Sequence, residues 1–212
     1  AFLHTLNLYL ELIEQNPAQL TLLPETALPS FFNSLPPRYV DTLNKAVRAH
    51  GGDLIAGTLL GERESYWNGA VSLGVSPIQT YSKRHLVPFG EFIPPGFAWF
   101  MAHANIPMSS FSRGPAMQAP LEVAGRKVAV NICYEDVFGE EIIRALPQAG
   151  ILANISNTAW FGHSLAQPQH LQIARMRAVE TGRPMLRATN TGMTAVIAPD
   201  GSIQAALPPF TQ

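Results

Sequence analysis

The sequence has 212 residues, of which 47% are hydrophobic and 14% are charged. This apolar content is enough for one substantial core, which excludes a disordered chain, since disorder goes with low hydrophobicity and high net charge. A formal net charge of −1 leaves no basic excess to neutralise phosphates, so nucleic-acid binding has no electrostatic support. One cysteine excludes an internal disulfide, and no apolar run has the roughly 20 residues that cross a bilayer.

The first part of the sequence alternates helical and strand patterns. Leu3, Leu6, Leu10 and Ile13 recur at helical spacing, and a proline pair and a glycine pair delimit a second helix. The predicted elements are a helix at 2–15, a strand at 19–23, a helix at 38–50 and antiparallel strands at 53–60 and 67–73.

The rest of the sequence begins with a stretch at 89–120 that is rich in proline, glycine and methionine and predicts long loops. The elements predicted after it are strands at 127–132 and 151–156, helices at 138–146 and from Pro168 to Gly182, and a final hairpin around Pro199-Asp200-Gly201. Helices alternating with strands and a late hairpin favour an α/β fold with mixed sheets covered by helices. Neither a repeat nor a linker divides the chain, so we expect a single domain over 1–212.

Cys133 is the first candidate for chemistry, because it directly follows the predicted strand KVAVNI. A strand-to-helix turn exposes a nucleophile at the carboxyl edge of a sheet and points backbone N–H groups at the same place, where they can hold an oxyanion. A helix N-terminus there would also favour the thiolate. The alternative is a buried structural cysteine; the strand-end position and the adjacent carboxylates favour a nucleophile.

Glu25 and Lys83 are the second and third candidates. Glu25 ends the strand pattern QLTLLP, where a carboxylate can point into a cleft and act as a general base. Lys83 lies in a segment with apolar and proline-bearing flanks, which predicts a fixed backbone and a cation available to a tetrahedral intermediate. Taken alone, either residue is more often an ordinary surface side chain.

These three residues stand in segments that resemble one family. PETA, YSKRHLVPFGEF and NICYEDVFGE resemble the Glu-Lys-Cys triad segments of the nitrilase superfamily. The segments PMSSFSRGP, ISNTAWFG, QHLQIARMRAVETGRP and TNTGMTAVIAPDGSIQA closely resemble the apolipoprotein N-acyltransferases, bacterial membrane enzymes that complete lipoprotein maturation. The resemblance covers nearly the whole chain and implies a nitrilase-like four-layer α-β-β-α sandwich with mixed sheets.

The resemblance also implies a mechanism. Glu25 takes the thiol proton, and Cys133 attacks a phospholipid ester to form a thioester acyl-enzyme. The α-amine of the N-terminal diacylglyceryl-cysteine of a lipoprotein then accepts the acyl group. Lys83 and the Tyr134 backbone N–H would stabilise the oxyanion, and Glu91, Tyr134 and Glu135 match further positions that the family needs. Neither a metal nor an organic cofactor is implied.

The implied location is the bacterial inner membrane, with the catalytic domain facing the periplasm and the 212-residue unit itself soluble. The apolar segment FIPPGFAWFMA predicts a loop on the core or a lid that touches the bilayer, through Phe97, Trp99 and Phe100. Trp160 is a candidate for a second lid element. The family's first strand and flanking membrane helices are missing, which favours a fragment of a longer protein, and Thr158 stands where the family predicts aspartate.

Other interpretations of the sequence have less support. A nitrilase-type amidase would use the same triad on a small amide or nitrile with water as acceptor, and a non-catalytic relative would act as a binding module. GHSLA lacks the last glycine of a serine-nucleophile elbow, and nothing fixes a histidine partner for Cys133. The spacing of His163 and His170 differs from the i, i+4 pairing of a zinc helix, so most histidines are expected to be structural or solvated. Arg175 and Arg177 are assigned to core packing.

Overall fold

In the computed structural model of the chain, residues 2–62, 64–95 and 111–211 are described. The helices within them are α1 (Phe2–Gln15), α2 (Pro37–Arg48), α3 (Gly139–Ile142) and α4 (Ala166–Thr181). The strands are β1 (Leu20–Leu22), β2 (Asp53–Glu62), β3 (Ser65–Gly74), β4 (Thr80–Ser82), β5 (Leu121–Val123), β6 (Arg126–Ile132), β7 (Ile151–Ser156), β8 (Met185–Thr189), β9 (Thr194–Ile197) and β10 (Ile203–Leu207). No helix within these ranges has the length and apolar character needed to span a bilayer.

The strands form two mixed sheets. The first has the order β1-β2-β3-β4, and the second has the order β10-β9-β8-β7-β6-β5. In the first sheet, β1 is parallel to β2, and β4 returns to that direction after two antiparallel steps. In the second sheet, β6, β7 and β8 are parallel to one another. The carboxyl ends of β1 and β4 therefore lie at the same edge of the first sheet. The carboxyl ends of β6, β7 and β8 lie at the same edge of the second sheet.

Three apolar clusters separate four layers, because successive side chains of a strand point to opposite faces. In β2, Leu54 and Ala56 pack in the cluster beneath α1 and α2, whereas Ile55 packs in the cluster between the two sheets. In β6, Val128 and Val130 face that same inter-sheet cluster. The third cluster joins the outer face of the second sheet to α3 and α4. The predicted four-layer α-β-β-α sandwich is confirmed.

Several local predictions need correction. The helix predicted at 138–146 is a four-residue α3 followed by a 3-10 turn at Ile143–Ala145, and Pro147 lacks the N–H that would continue it. The helix α4 begins at Ala166, before Pro168, since a proline is tolerated in the first turn of a helix. The predicted elements lack β4, β5 and β8. Strands β4 and β5 have three residues each and no apolar run like the one around β1, and β8 carries the buried Arg187.

Candidate active site

Two strand ends of the first sheet bring Glu25 and Lys83 together. Glu25 follows β1, and Lys83 follows β4, which runs in the same direction. The Lys83 Nζ lies 3.5 Å from the Glu25 Oε1, although 58 residues separate the two in sequence. Both side chains are buried, with Lys83 only 1% exposed. The structure therefore places two of the three candidate residues in direct contact.

A third and a fourth side chain complete this charge cluster. The Glu91 carboxylate lies 2.9 Å from the Lys83 Nζ and accepts the Val87 backbone N–H. The Asn68 Nδ2 donates to the Glu25 Oε1 at 2.6 Å and to the Glu91 Oε1 at 2.7 Å. One amide thus bridges two carboxylates that would otherwise repel each other.

The charge on Lys83 depends on these carboxylates. Burial alone lowers the pKa of a lysine, but Glu25 and Glu91 outweigh burial and raise the pKa of Lys83 above its usual range. The ammonium therefore keeps its proton at neutral pH. It can stabilise negative charge at this site, and it is a poor proton donor.

The second sheet contributes Cys133, which immediately follows β6 and opens the 3-10 turn Cys133–Val137. Its φ of +53° is in the left-handed region, which costs a non-glycine residue about 1–2 kcal/mol. A backbone held in this way against its preference indicates that the surroundings fix the turn. The Asn157 backbone N–H, just beyond β7, donates to the Glu25 Oε2 at 2.7 Å and so ties the edges of the two sheets together.

The surroundings of Cys133 favour the thiol over the thiolate, which opposes the effect that a helix N-terminus would have. Burial raises the pKa of Cys133, Glu25, Asp136 and Glu91 raise it further, and Lys83 opposes them, with a net value of about 12. The structure starts no long helix at Cys133, and the nearby charges are mostly negative. A thiol of this kind needs a base to accept its proton as it attacks, and Glu25 is the carboxylate with the largest electrostatic effect on it.

Glu135 and Tyr134 lie in the same turn as Cys133. The Glu135 carboxylate is buried and accepts four hydrogen bonds, from the backbone N–H groups of Arg84, His85 and Ile132 and from the Tyr81 hydroxyl. Burial raises its pKa to about 7, while the backbone donors act to lower it. Its hydrogen bonds connect the segment after Lys83 to the turn Cys133–Val137, which we call the nucleophile turn. The Tyr134 backbone N–H is among the first amides of that turn, which have no partner within it.

Several residues of this site were missed by sequence analysis. Asn68 and the Asn157 backbone N–H both bind Glu25. His170 is 8% exposed and bonded to Asp136 at 3.0 Å, so it is neither solvated nor a partner of Cys133. The available signal was an amide side chain in the middle of a mostly apolar strand, as Asn68 is in β3.

The remaining site predictions have different outcomes. Trp160 lies in the 3-10 turn Ala159–Phe161 and is 87% exposed, with Phe161 and Leu165 also exposed beside it. Phe97, Trp99 and Phe100 lie outside the described residues. Thr158 is fully buried, and its backbone N–H donates to the Asn190 Oδ1 at 2.9 Å. In the described ranges no group of three or more His, Cys, Asp or Glu side chains is arranged to hold a metal ion.

Comparisons with known proteins extend these observations. An apolipoprotein N-acyltransferase of Nitrosomonas europaea is 52% identical over 213 residues, covering 98% of this chain and 42% of that protein. Another, of Ralstonia nicotianae, is 49% identical over 215 residues, covering 98% of this chain and 41% of that protein. The chain thus spans about two fifths of the length of these relatives.

Solved structures agree in fold. A carbon-nitrogen hydrolase from Helicobacter pylori G27 superposes with a TM-score of 0.73 at 21% identity, covering 99% of this chain and 80% of that one. A Nesterenkonia AN1 amidase from the nitrilase superfamily superposes with a TM-score of 0.72 at 21% identity, covering 99% of this chain and 82% of that one. The model of the family described as "Carbon-nitrogen hydrolase" matches residues 1–212. The chain belongs to the carbon-nitrogen hydrolase family.

Proposed function

We propose that this chain is the catalytic domain of an apolipoprotein N-acyltransferase, which moves an acyl group from a phospholipid to a lipoprotein through a thioester on Cys133. The observation that carries the proposal is the buried contact of Glu25 with Lys83 at the edge where the Asn157 N–H bond to Glu25 joins the sheet that carries Cys133. The similarity to acyltransferases over 98% of the chain supports the choice of substrates. The amidase alternative has weaker support, because its solved examples share only the fold.

The first half-reaction acylates the cysteine. Glu25 accepts the thiol proton as the Cys133 sulfur attacks the ester carbonyl carbon of a phospholipid. The resulting oxyanion is stabilised by the Lys83 ammonium and the Tyr134 backbone N–H. The carbon–oxygen bond to the lysophospholipid then breaks, and its alkoxide leaves with the proton that Glu25 held.

The second half-reaction transfers the acyl group to an amine. The free α-amine of the diacylglyceryl-cysteine attacks the thioester carbonyl and loses a proton to Glu25. The carbon–sulfur bond breaks, and Cys133 recovers that proton. Sulfur suits both halves, because it attacks well and leaves well. Water competes with the amine, so the acyl-enzyme must be shielded from solvent.

Glu91 and Asn68 act on the base and the cation in this proposal. Glu91 helps Lys83 to keep its charge, and Asn68 fixes both carboxylates. Glu135 holds the nucleophile turn against the Lys83 segment. The exposed apolar group of Trp160, Phe161 and Leu165 is the proposed contact with acyl chains or the bilayer, with the domain at the periplasmic face of the inner membrane.

Intact-mass spectrometry tests this function. After incubation of the complete gene product with phospholipid in detergent, we expect a mass increase of one acyl group, which disappears when a lipoprotein peptide with a free diacylglyceryl-cysteine is added. Cys133→Ala should never gain the mass. Glu25→Gln should gain it about 10²–10⁴-fold more slowly, the usual contribution of a general base.

Val137→Ala, at the exposed end of the same turn, serves as the control and should acylate at the normal rate. A complete gene product that shows no adduct with phospholipid, yet hydrolyses small amides, would make the amidase the correct assignment. An adduct that persists in Cys133→Ala would remove Cys133 as the nucleophile.

A further inference from the structure

A stripe of buried polar side chains crosses the helix-facing side of the second sheet. Asn131 of β6, Asn154 of β7 and Arg187 of β8 are register partners across the parallel strands and are almost fully buried. Two residues earlier on the same face, these strands carry the apolar side chains Ala129, Leu152 and Met185. We call Asn131, Asn154 and Arg187 the polar stripe. Burying polar groups is unfavourable unless they are hydrogen-bonded, so these side chains need partners within the fold.

Asp136 and His170 close the polar stripe into a bonded ring. The Asp136 carboxylate, fully buried in the nucleophile turn, accepts from an Arg187 guanidinium nitrogen at 3.2 Å and from the His170 Nε2 at 3.0 Å. A second guanidinium nitrogen of Arg187 contacts the His170 Nδ1 at 2.7 Å. Because arginine only donates, Nδ1 must accept, and His170 is therefore the Nε2–H tautomer. The ring combines one cation, one anion and one neutral imidazole.

Asn154 connects this ring to the nucleophile. Its Oδ1 accepts from Arg187, and its Nδ2 donates to the Cys133 carbonyl oxygen at 3.2 Å and to the Asn131 Oδ1 at 2.6 Å. The residue whose carbonyl is held in this way has the left-handed φ of +53°. The ring thus holds the strained turn through the Cys133 carbonyl oxygen. It lies on the helix-facing side of the sheet, opposite the inter-sheet cluster that Cys133 contacts.

The ring also sets charge near the sulfur. The groups that act on the thiol are Glu25, Lys83, Glu91, Asp136 and Arg187. Asp136 raises the pKa of Cys133, so an unpaired Asp136 would disfavour the thiolate. Arg187 neutralises this carboxylate at a buried position, where screening by water is weak.

We propose that Arg187 and His170 are positioning residues for Cys133, which hold Asp136 and Asn154 so that the nucleophile turn keeps its geometry and the Asp136 charge is offset. The inference rests on the proposed function only for the role of Cys133 as nucleophile. Neither residue touches the reacting atoms; both act through Asp136 and Asn154.

The rate of Cys133 alkylation by iodoacetamide across pH 6–9 tests the charge part of this inference. Arg187→Met should react about tenfold more slowly at each pH, the effect of one pKa unit on the thiolate fraction. Adding Asp136→Asn to Arg187→Met should restore most of the rate, because the uncompensated charge is gone. A packing defect alone would not be rescued in this way.

Two comparisons control for loss of fold. Arg175→Met is the matched control, since Arg175 lies on α4 and bonds Gly201 outside the ring; its alkylation rate should be unchanged. His170→Gln keeps one donor and one acceptor and should react like the natural chain, whereas His170→Leu keeps neither and should react severalfold more slowly. If Arg187→Met does not unfold cooperatively, the comparison of His170→Gln with His170→Leu tests the inference instead.

Two results would overturn the inference. One is an Arg187→Met rate equal to that of Arg175→Met, and the other is His170→Leu equal to His170→Gln. Alkylation does not require acyl transfer, so failure of the proposed function shows in the acyl-enzyme mass, and failure of this inference shows in the alkylation rates.

Discussion

Lys83 keeps its charge in a place where burial alone would remove it. Two carboxylates within 3.5 Å outweigh the cost of desolvation, and the hydrogen bonds from the Asn68 amide to both of them offset part of their mutual repulsion. The thiol beside them experiences the opposite balance, because the same carboxylates raise its pKa. One set of charges therefore favours the ammonium of Lys83 and the thiol of Cys133, the two states from which the proposed acyl transfer would start.

Glu135 carries a residue-scale prediction about stability. In Glu135→Gln, the amide nitrogen cannot accept the Ile132 backbone N–H, and an unsatisfied buried donor costs about 1–3 kcal/mol. We expect that decrease in the free energy of unfolding at pH 5, measured by urea denaturation. Glu122→Gln, on an exposed glutamate, is the control and should have little effect.

The loss in Glu135→Gln should shrink as the pH rises from 5 to 8. The folded pKa of about 7 is above the usual pKa of about 4.5 for a glutamate, so the protonated carboxyl stabilises the natural chain most at the acidic end of this range. This stabilisation is lost as the pH rises through 7. A loss that stays constant over this range would contradict the raised pKa.

A glycine in β2 allows the close approach of the loop that carries Glu25, the proposed general base. Gly57 in β2 faces the loop that carries Glu25, and a Cβ built there would lie 2.5 Å from the Pro24 carbonyl oxygen and 2.6 Å from the Glu25 Cα. Both contacts are with backbone, so the loop itself would have to move. The strand therefore positions the carboxylate through the absence of a side chain.

Gly57→Ala is the prediction at this scale. The overpacked contact should destabilise the fold by about 1–3 kcal/mol. Acylation of Cys133 should also be slower at temperatures where the variant is fully folded, because Glu25 is displaced. Differential scanning calorimetry and the acyl-enzyme mass assay measure the two effects. Gly150→Ala, where an added Cβ meets nothing within 4 Å, should change neither quantity. Normal acylation in Gly57→Ala would show that the loop position is not critical.

At the scale of the whole molecule, the two sheets carry different residues of the proposed mechanism. The first sheet positions Glu25 and Lys83, the second positions Cys133, and the Asn157 N–H bond to Glu25 joins their edges. The apolar group of Trp160, Phe161 and Leu165 follows directly from that junction along the chain. In the proposed function, a lipid donor approaching this edge would meet an apolar surface that is close to Glu25 along the junction.

The apolar group predicts membrane contact. The double variant Trp160→Ser/Leu165→Ser should bind phospholipid vesicles at least tenfold more weakly in co-sedimentation, since each large side chain gains about 1.5–3 kcal/mol on leaving water. Ile78→Ser, an exposed residue before β4, is the control and should bind normally. Equal binding by the double variant and the control would remove this surface from the proposal.

The sequence by itself determined the kinds of element and the place of the chemistry. Helical and strand periods are local, so α1, α2, β2 and β6 could be predicted from neighbouring residues. Glu25 and Cys133 could be singled out because each ends a strand pattern, and Lys83 because apolar and proline-bearing flanks fix its backbone; all three lie in segments that resemble one family. The match to carbon-nitrogen hydrolases over residues 1–212 agrees with that resemblance.

Only the tertiary structure decided which distant side chains meet and with what charge. The Asn68 bridge, the bond from Asn157 to Glu25 and the ring of Asp136, His170 and Arg187 join residues that are 17 to 132 positions apart, and no local period encodes such pairs. The raised pKa of Cys133 also opposes the effect expected from its strand-end position. Its pKa depends on burial and on carboxylates brought from other elements, and those are properties of the assembled fold.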